Sequence, residues 1–182
     1  MRYILTLFLF TVFSFMGNAQ NYLPQDSKSS VNFFIKNVGI NVKGDFKGLQ
    51  GLIHFKESDL ASSLFDVFVD ATTINTGINA RDNHLKKADY FDVQKFGTIR
   101  FTSSLIVNSG TPDFYTITGT ILIKGKKKEI SFPFTISPVK EGMLFAGSFT
   151  LNRRDFSVGG SNLFLSDDVK VTLSIFAKKI IP

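Results

Sequence analysis

Thr73-Ile-Asn-Thr-Gly77, followed by Arg81-Asp-Asn-His-Leu-Lys-Lys-Ala-Asp-Tyr-Phe-Asp-Val93, is the one stretch of this chain in which the rhythm of a β-strand stops. On either side of it, apolar and polar residues alternate with the period of two that a half-buried strand requires. Between Ile78 and Phe91 the apolar positions Ile78, Leu85, Ala88 and Phe91 fall closer to helical spacing, among Arg81, Asp82, His84, Lys86, Lys87 and Asp89. The spacing predicts a short amphipathic helix, or two turns, laid across one end of an otherwise all-β body. A β-body with one such lid reads as a container.

Working upstream, Val31, Phe33 and Ile35 alternate with Asn32, Phe34 and Lys36 as a first strand, and Asn37 to Gly44 reads as a turn-rich link. Phe46 to Phe55 is a second strand, in which Gly48 and Gly51 predict bulges or sharp bends. Phe65, Val67 and Val69 mark the third. Asn21 to Ser29 is polar and reads as a loose lead-in.

The first residues have the pattern of a secretory leader: Arg2, an apolar run from Tyr3 to Met16, then Gly17-Asn-Ala19. That run is shorter than the ~18 apolar residues of a spanning helix. The expected division is a signal peptide over 1–19, cleaved after Ala19, and one domain over 20–182. The expected location is periplasmic or secreted. The sequence contains no cysteine, so a lipid-modified cysteine anchor and a disulfide framework are both excluded.

Downstream, Ile99, Phe101, Ser103, Leu105 and Val107 are the expected inward set of a fourth strand, with Ile106 placed outward. Tyr115, Ile117, Gly119, Ile121 and Ile123 follow, then Ile130, Phe132, Phe134 and Ile136. Pro133 cannot donate to a ladder and predicts a bulge or a barrel seam there. Phe145, Gly147, Phe149 and Leu151 precede a polar loop from Asn152 to Asp167. Val169, Val171, Leu173, Ile175 and Ala177 complete the set.

Eight strands joined mostly by short turns imply an antiparallel meander, and eight close into a barrel wide enough for side chains or one small ligand. Polar residues dominate the outward positions, the reverse of a porin. The chain has 21 Phe and no Trp; Phe suits a dense core or an apolar cavity wall, because it needs no hydrogen-bond partner.

The net charge is +6, concentrated at Lys124-Gly-Lys-Lys-Lys128. That run reads either as a solvated hairpin turn with Gly125 at the bend or as a contact for an anionic membrane surface. Nucleic acid is not an expected partner, since no aromatic residues interleave with the lysines.

Arg81-Asp-x-His-Leu, Asp89-x-Phe91-Asp92-Val93, Lys95 and Phe101-x-Ser103 together resemble the signature of the YceI family of exported polyisoprenoid-binding proteins. Gly44-x-Phe46, Gly51 and Phe55 are similar to that family's second strand. Thr73-Ile-Asn-Thr76-Gly77 is similar to its approach to the helix. Gly119-x-Ile121-x-Ile123-x-Gly125, Asn152-Arg153 with Asp155-Phe156, and Asp168-Val169 extend the resemblance over nearly the whole mature chain. Asn37, Gly97 and Ser157 depart from it, standing where His, Pro and Gly are usual.

The resemblance implies an extended eight-stranded antiparallel lipocalin-like barrel with a short helical lid between strands 3 and 4. It implies an isoprenoid lipid, a prenyl phosphate or an isoprenoid quinone, as the ligand in an apolar tunnel. The expected lipid-binding residues are Phe33, Phe65, Val67, Phe91, Phe101, Ile117, Phe132, Phe134, Phe145 and Phe149. His84, Arg81 and Arg153 are the candidates for headgroup or lid, and Phe156 for a plug beneath the Arg153 loop.

His84 is also the candidate general acid or base, with Asp82, Asp89 or Asp92 to orient it. Without a nucleophile elbow, a phosphate-binding glycine loop or paired carboxylates, the expected role is binding rather than catalysis. No cofactor and no metal are expected, since His54 and His84 show no ligand spacing. The alternatives are an interaction or stress-response module on a barrel scaffold, and a His-dependent lipid hydrolase or isomerase. A transient membrane contact and a homodimer complete the partner expectations.

Overall fold

A computed structural model describes residues 20–180; the expected signal peptide lies outside them. One antiparallel sheet curls into a closed barrel. Its strands are β1 (Gln20–Pro24), β2 (Ser30–Asn37), β3 (Ile40–Phe55), β4 (Leu64–Asn75), β5 (Thr98–Asn108), β6 (Phe114–Ile123), β7 (Lys126–Val139), β8 (Gly142–Asn152) and β9 (Leu165–Lys179). The helix α1 (Asn79–Leu85) lies between β4 and β5. The order β1-β3-β2-β9-β8-β7-β6-β5-β4 closes through β3–β4.

The expected lead-in is instead a strand. β1 and β2 both lie between β3 and β9, so one position of an eight-position barrel is filled by two consecutive segments. Only Tyr22 and Pro24 of β1 are buried, and three alternating positions are too few for a pattern to register. The link expected over Asn37–Gly44 is corrected likewise. The chain turns in two residues, Val38 and Gly39, and β3 runs sixteen residues from there. Its register slips between Asp45 and Lys47 and again between Lys47 and Gln50, beside Gly48 (φ 72°), as strand glycines predict.

One inward set is corrected. Ser103 pairs with Gly119 but Leu105 pairs with Thr118, so Ser104 is an extra residue in β5. A bulge of one residue swaps the faces beyond it. Ile106 is therefore buried, while Leu105 and Val107 point outward. The buried Ser103 hydroxyl accepts the backbone N–H of Phe65 at 2.9 Å.

Pro133 stands at a seam. The β7–β8 ladder begins at Phe134↔Gly147 and runs to Val139↔Gly142, leaving Lys126–Pro133 unpaired on that side. Into this seam the β8–β9 connection sends Phe156, 1% exposed, and Val158, which pack with Ile121, Ile123, Ile130, Phe149 and Leu151. Eight of the seventeen buried residues of the main core are aromatic, and their rings pack on other aromatic rings. Phe145 meets Phe65 edge-on at 5.2 Å and Phe55 at 6.3 Å, and Phe132 lies 4.7 Å from Phe149. Such edge and tilted contacts add to area burial without a polar atom to satisfy.

Candidate functional site: a cavity along the barrel

The core does not fill the barrel. A cavity of about 420 Å³ lies inside it, within the range of small-molecule sites. On β9 its wall runs from Leu165 to Ile175; ten residues of strand span ~33 Å, so the cavity is elongated. The deep half is apolar, with Ile53, Phe65, Phe134, Phe145 and Ile175 among its walls. The other end carries Asn37, Thr76, Arg81, His84 and Arg153.

The strand alternation explains this wall. Phe33 on β2, Phe65 and Val67 on β4, Phe101 on β5, Ile117 on β6, Phe132 and Phe134 on β7, and Phe145 and Phe149 on β8 all face inward and line it. Phe91, from the turns after α1, meets Phe46 edge-on at 5.6 Å and lines it too. All ten candidate lipid-contacting residues thus share one cavity, as do Arg81, His84 and Arg153. Sequence reading missed the β9 side of the wall as a lining, and Leu49, Ile53, Ile74 and Ile99. The alternation on β9 was legible, but the same pattern serves a filled core; Leu49 and Ile74 fall out of step with the inward residues before them, Phe46 and Ala71, where the β3–β4 register slips.

The polar end is built around Thr76 and Asp82. The buried Asp82 carboxylate accepts the Thr76 hydroxyl and, at 2.9 Å, the Thr76 backbone N–H. Arg81 donates from Nε to the Thr76 hydroxyl and from its terminal nitrogen to the Thr76 carbonyl, both at 2.7 Å. Thr76 and Gly77 leave β4 directly into α1, so this cluster sets the helix against the barrel end. Arg81 forms no ion pair among the described residues.

His84 is exposed and stacks edge-on against Tyr90 at 4.9 Å. None of its three candidate orienting carboxylates bonds to it. Asp82 holds Thr76, Asp92 pairs with Lys95 at 3.6 Å, and Asp89 gives its backbone carbonyl to Gly159. The geometry supplies no oriented acid–base pair there. His54 lies on β3 near the opposite end, bonded through Nδ1 to Asn21 at 2.7 Å. No cluster of three or more metal-capable side chains occurs among the described residues.

Arg153 is 4% exposed, and its guanidinium is engaged by the loop that carries it. It donates to the carbonyls of Val158 (2.9 Å), Gly160 (3.0 Å) and Ser166 (2.9 Å) and to the Asp167 carboxylate (2.7 Å). Its acidic partner is Asp167, fourteen residues along the chain, and not the adjacent Asp155 or Asp168. The lysine turn is a hairpin bend at Lys124 and Gly125, both left-handed. It also braces the same loop. Lys124 donates to the Ser157 carbonyl and Lys126 to the Ser157 hydroxyl, each at 2.7 Å, and Lys128 pairs with Asp155 at 3.7 Å. Ser157 has φ 52°, a left-handed conformation that explains why glycine is usual there.

The fold closely matches solved structures. Burkholderia cenocepacia BcnA superposes with a TM-score of 0.80 at 23% identity, covering 85% of this chain and 99% of that one. A polyisoprenoid binding domain from Saccharophagus degradans, implicated in plant cell wall breakdown, gives 0.73 at 15% identity, covering 90% and 100%. In sequence, a UPF0312 protein of Vibrio campbellii is 29% identical over 120 residues, 64% of this chain and 63% of that protein. The chain therefore aligns with less than two thirds of that relative's length. The YceI-like domain model matches residues 22–177, nearly every described strand, and the chain belongs to the YceI-like domain family.

Proposed function

We propose that the protein is an exported, non-catalytic carrier that holds an isoprenoid lipid, a prenyl phosphate or an isoprenoid quinone, inside its barrel. The observation that carries this reading is the elongated cavity, apolar through its deep half and polar at one end. A prenyl chain is long, apolar and flexible and bears one polar head. The chain lies along the aromatic wall, with its head at the α1 end near Arg81 and His84. Arg81 is the headgroup contact and Arg153 the fastener of the loop, because of these two only Arg81 retains a guanidinium nitrogen without a partner among the described residues. The Saccharophagus degradans domain of the same fold, described as polyisoprenoid binding, supports the ligand class.

The energetics allow it. Hiding on the order of 500 Å² of ligand surface contributes roughly 12 kcal/mol at ~25 cal/mol/Å², against association and ordering costs of ~4–15 kcal/mol. The test is mass spectrometry of organic extracts from protein purified after export, alongside Val67→Trp, which fills the mid-barrel. A stoichiometric prenyl lipid in the wild type and none in the variant is the expected result. A wild type that carries no lipid, and takes up neither prenyl phosphates nor quinones offered in excess, overturns the reading.

A further inference from the structure

The β2–β3 hairpin turns at Val38 (φ 51°) and Gly39 (φ 76°). Left-handed backbone at both central positions defines a type I′ turn, whose usual residues are Asn-Gly or Asp-Gly. A β-branched residue is a steric outlier there, and Val38 gains no burial in exchange. It is 67% exposed and Ile40 beside it 70%. The Val38 N–H donates to the Phe164 carbonyl at 2.8 Å, which lays the loop before β9 alongside the hairpin. That loop presents Leu163 at 98% and Phe164 at 65% exposure. Four large apolar side chains are thus gathered on two adjoining tips. They sit at the polar end of the cavity, where Asn37 and Leu165 line the wall.

Behind the tips lies a cationic collar. Lys36 and Lys43 on the hairpin and Lys170 on β9 are exposed, and none forms an ion pair among the described residues. Lys43 and Lys170 flank Phe34 as its cross-strand partners. Asp167 is taken by Arg153 and Arg154, leaving Asp168 and Asp45, the latter bonded to Asn75, against three lysines. The lysine turn is a weaker candidate, since three of its four lysines hold the β8–β9 loop.

Apolar side chains ringed by lysines suit insertion among the headgroups of an anionic bilayer. We propose that the tips at Val38–Ile40 and Leu163–Phe164 insert into an anionic phospholipid surface and set the polar end of the cavity against the bilayer. Docking rests on the tips alone; its use in loading the cavity rests on the carrier reading above.

The experiment is flotation of the purified exported protein with vesicles of phosphatidylcholine, with and without phosphatidylglycerol, at low and high salt. Uptake of a soluble farnesyl probe is measured in parallel without vesicles. The wild type is expected to float with the phosphatidylglycerol vesicles, less so at high salt. Leu163→Ser with Phe164→Ser is expected to lower partitioning by on the order of tenfold and to leave probe uptake unchanged. A wild type that floats with neither vesicle, or a double variant that floats like the wild type, overturns the docking. So does a self-association lost in the double variant without vesicle binding, which assigns the tips to a second copy of the chain. Vesicle binding without probe uptake supports the docking and overturns the carrier.

Discussion

The ring of Phe33 on β2 occupies the space that a β-carbon on Gly44, its cross-strand partner on β3, would need. Phe33 also lines the cavity and lies 5.5 Å from Phe46. The glycine therefore sets where one wall of the cavity stands. Gly44→Ala is expected to push the ring off its site, costing about 1–3 kcal/mol as overpacking does and lowering prenyl-probe uptake. Denaturant titration and probe binding on the same sample check both.

Arg153 fastens the β8–β9 connection, and with it Phe156 in the seam. Arg153→Ala leaves several carbonyls without their donor and is expected to cost on the order of 3–5 kcal/mol. Arg153→Lys is expected to recover little, because an ammonium cannot reach the fork of partners that the planar guanidinium serves. Hydrogen exchange should show the loop over residues 153–165 losing protection in both variants.

Ser103 takes the place of a ladder acceptor for Phe65 where β5 bulges. Ser103→Ala leaves that buried N–H unpaired, at an expected cost of about 1–3 kcal/mol. Ser103→Thr is expected to retain most of the stability if its hydroxyl keeps the bond. Thermal melts of the two variants separate the hydrogen bond from the packing.

Arg100 donates to both carboxylate oxygens of Asp66 across β4 and β5. These hydrogen bonds, with the charge of the guanidinium, hold the Asp66 carboxyl below the usual aspartate range. A folded-state pKa below the unfolded value near ~3.9 means a contribution present above that pH and lost as pH falls through the folded value. Asp66→Asn is expected to flatten the dependence of stability on pH in that acid window and to leave its shape near neutrality unchanged. Unfolding titrations from neutral to acid pH measure it.

Val38 holds a left-handed turn position that suits asparagine. Val38→Asn is expected to stabilise the fold by about 1 kcal/mol, the lower end of such backbone strain, raising Tm by roughly 2–4 °C for a domain of this size. The same variant should float less with anionic vesicles. A gain in stability paired with a loss of docking marks a residue retained for its exposed side chain.

Much of this molecule is legible in its residues because the barrel is written in alternation. Phe132, Phe134, Phe145 and Phe149 can be placed on one inner wall from spacing alone. What alternation hides is register. One extra residue at Ser104 reverses Leu105, Ile106 and Val107, and nothing in Ser-Ser-Leu announces it. β1 is invisible for a related reason: its strand character comes from β3 and β9, partners more than thirty residues away in sequence. Arg153 could be picked out as an anchoring arginine, but three acidic residues lie within reach along the chain. Only the path of the loop selects Asp167. Whether the inner wall encloses a space or packs solid depends on strand tilt and ring volume, and the same letters describe both.

The ladders between β9 and its neighbours β1 and β2 have a consequence for timing. All other neighbours in the sheet are consecutive or nearly so along the chain, but Asn37 must wait for Leu165 and Pro24 for Ala177. A chain delivered N-terminus first can form hairpins from β2 to β8 and still remain an open sheet. Its Phe-rich inner face stays exposed, with free edges at both sides, until β9 is complete. Non-local pairing of this kind is slow and leaves an aggregation-prone intermediate. A chaperone that holds the chain through that interval would recognise the same aromatic wall that later encloses the cavity.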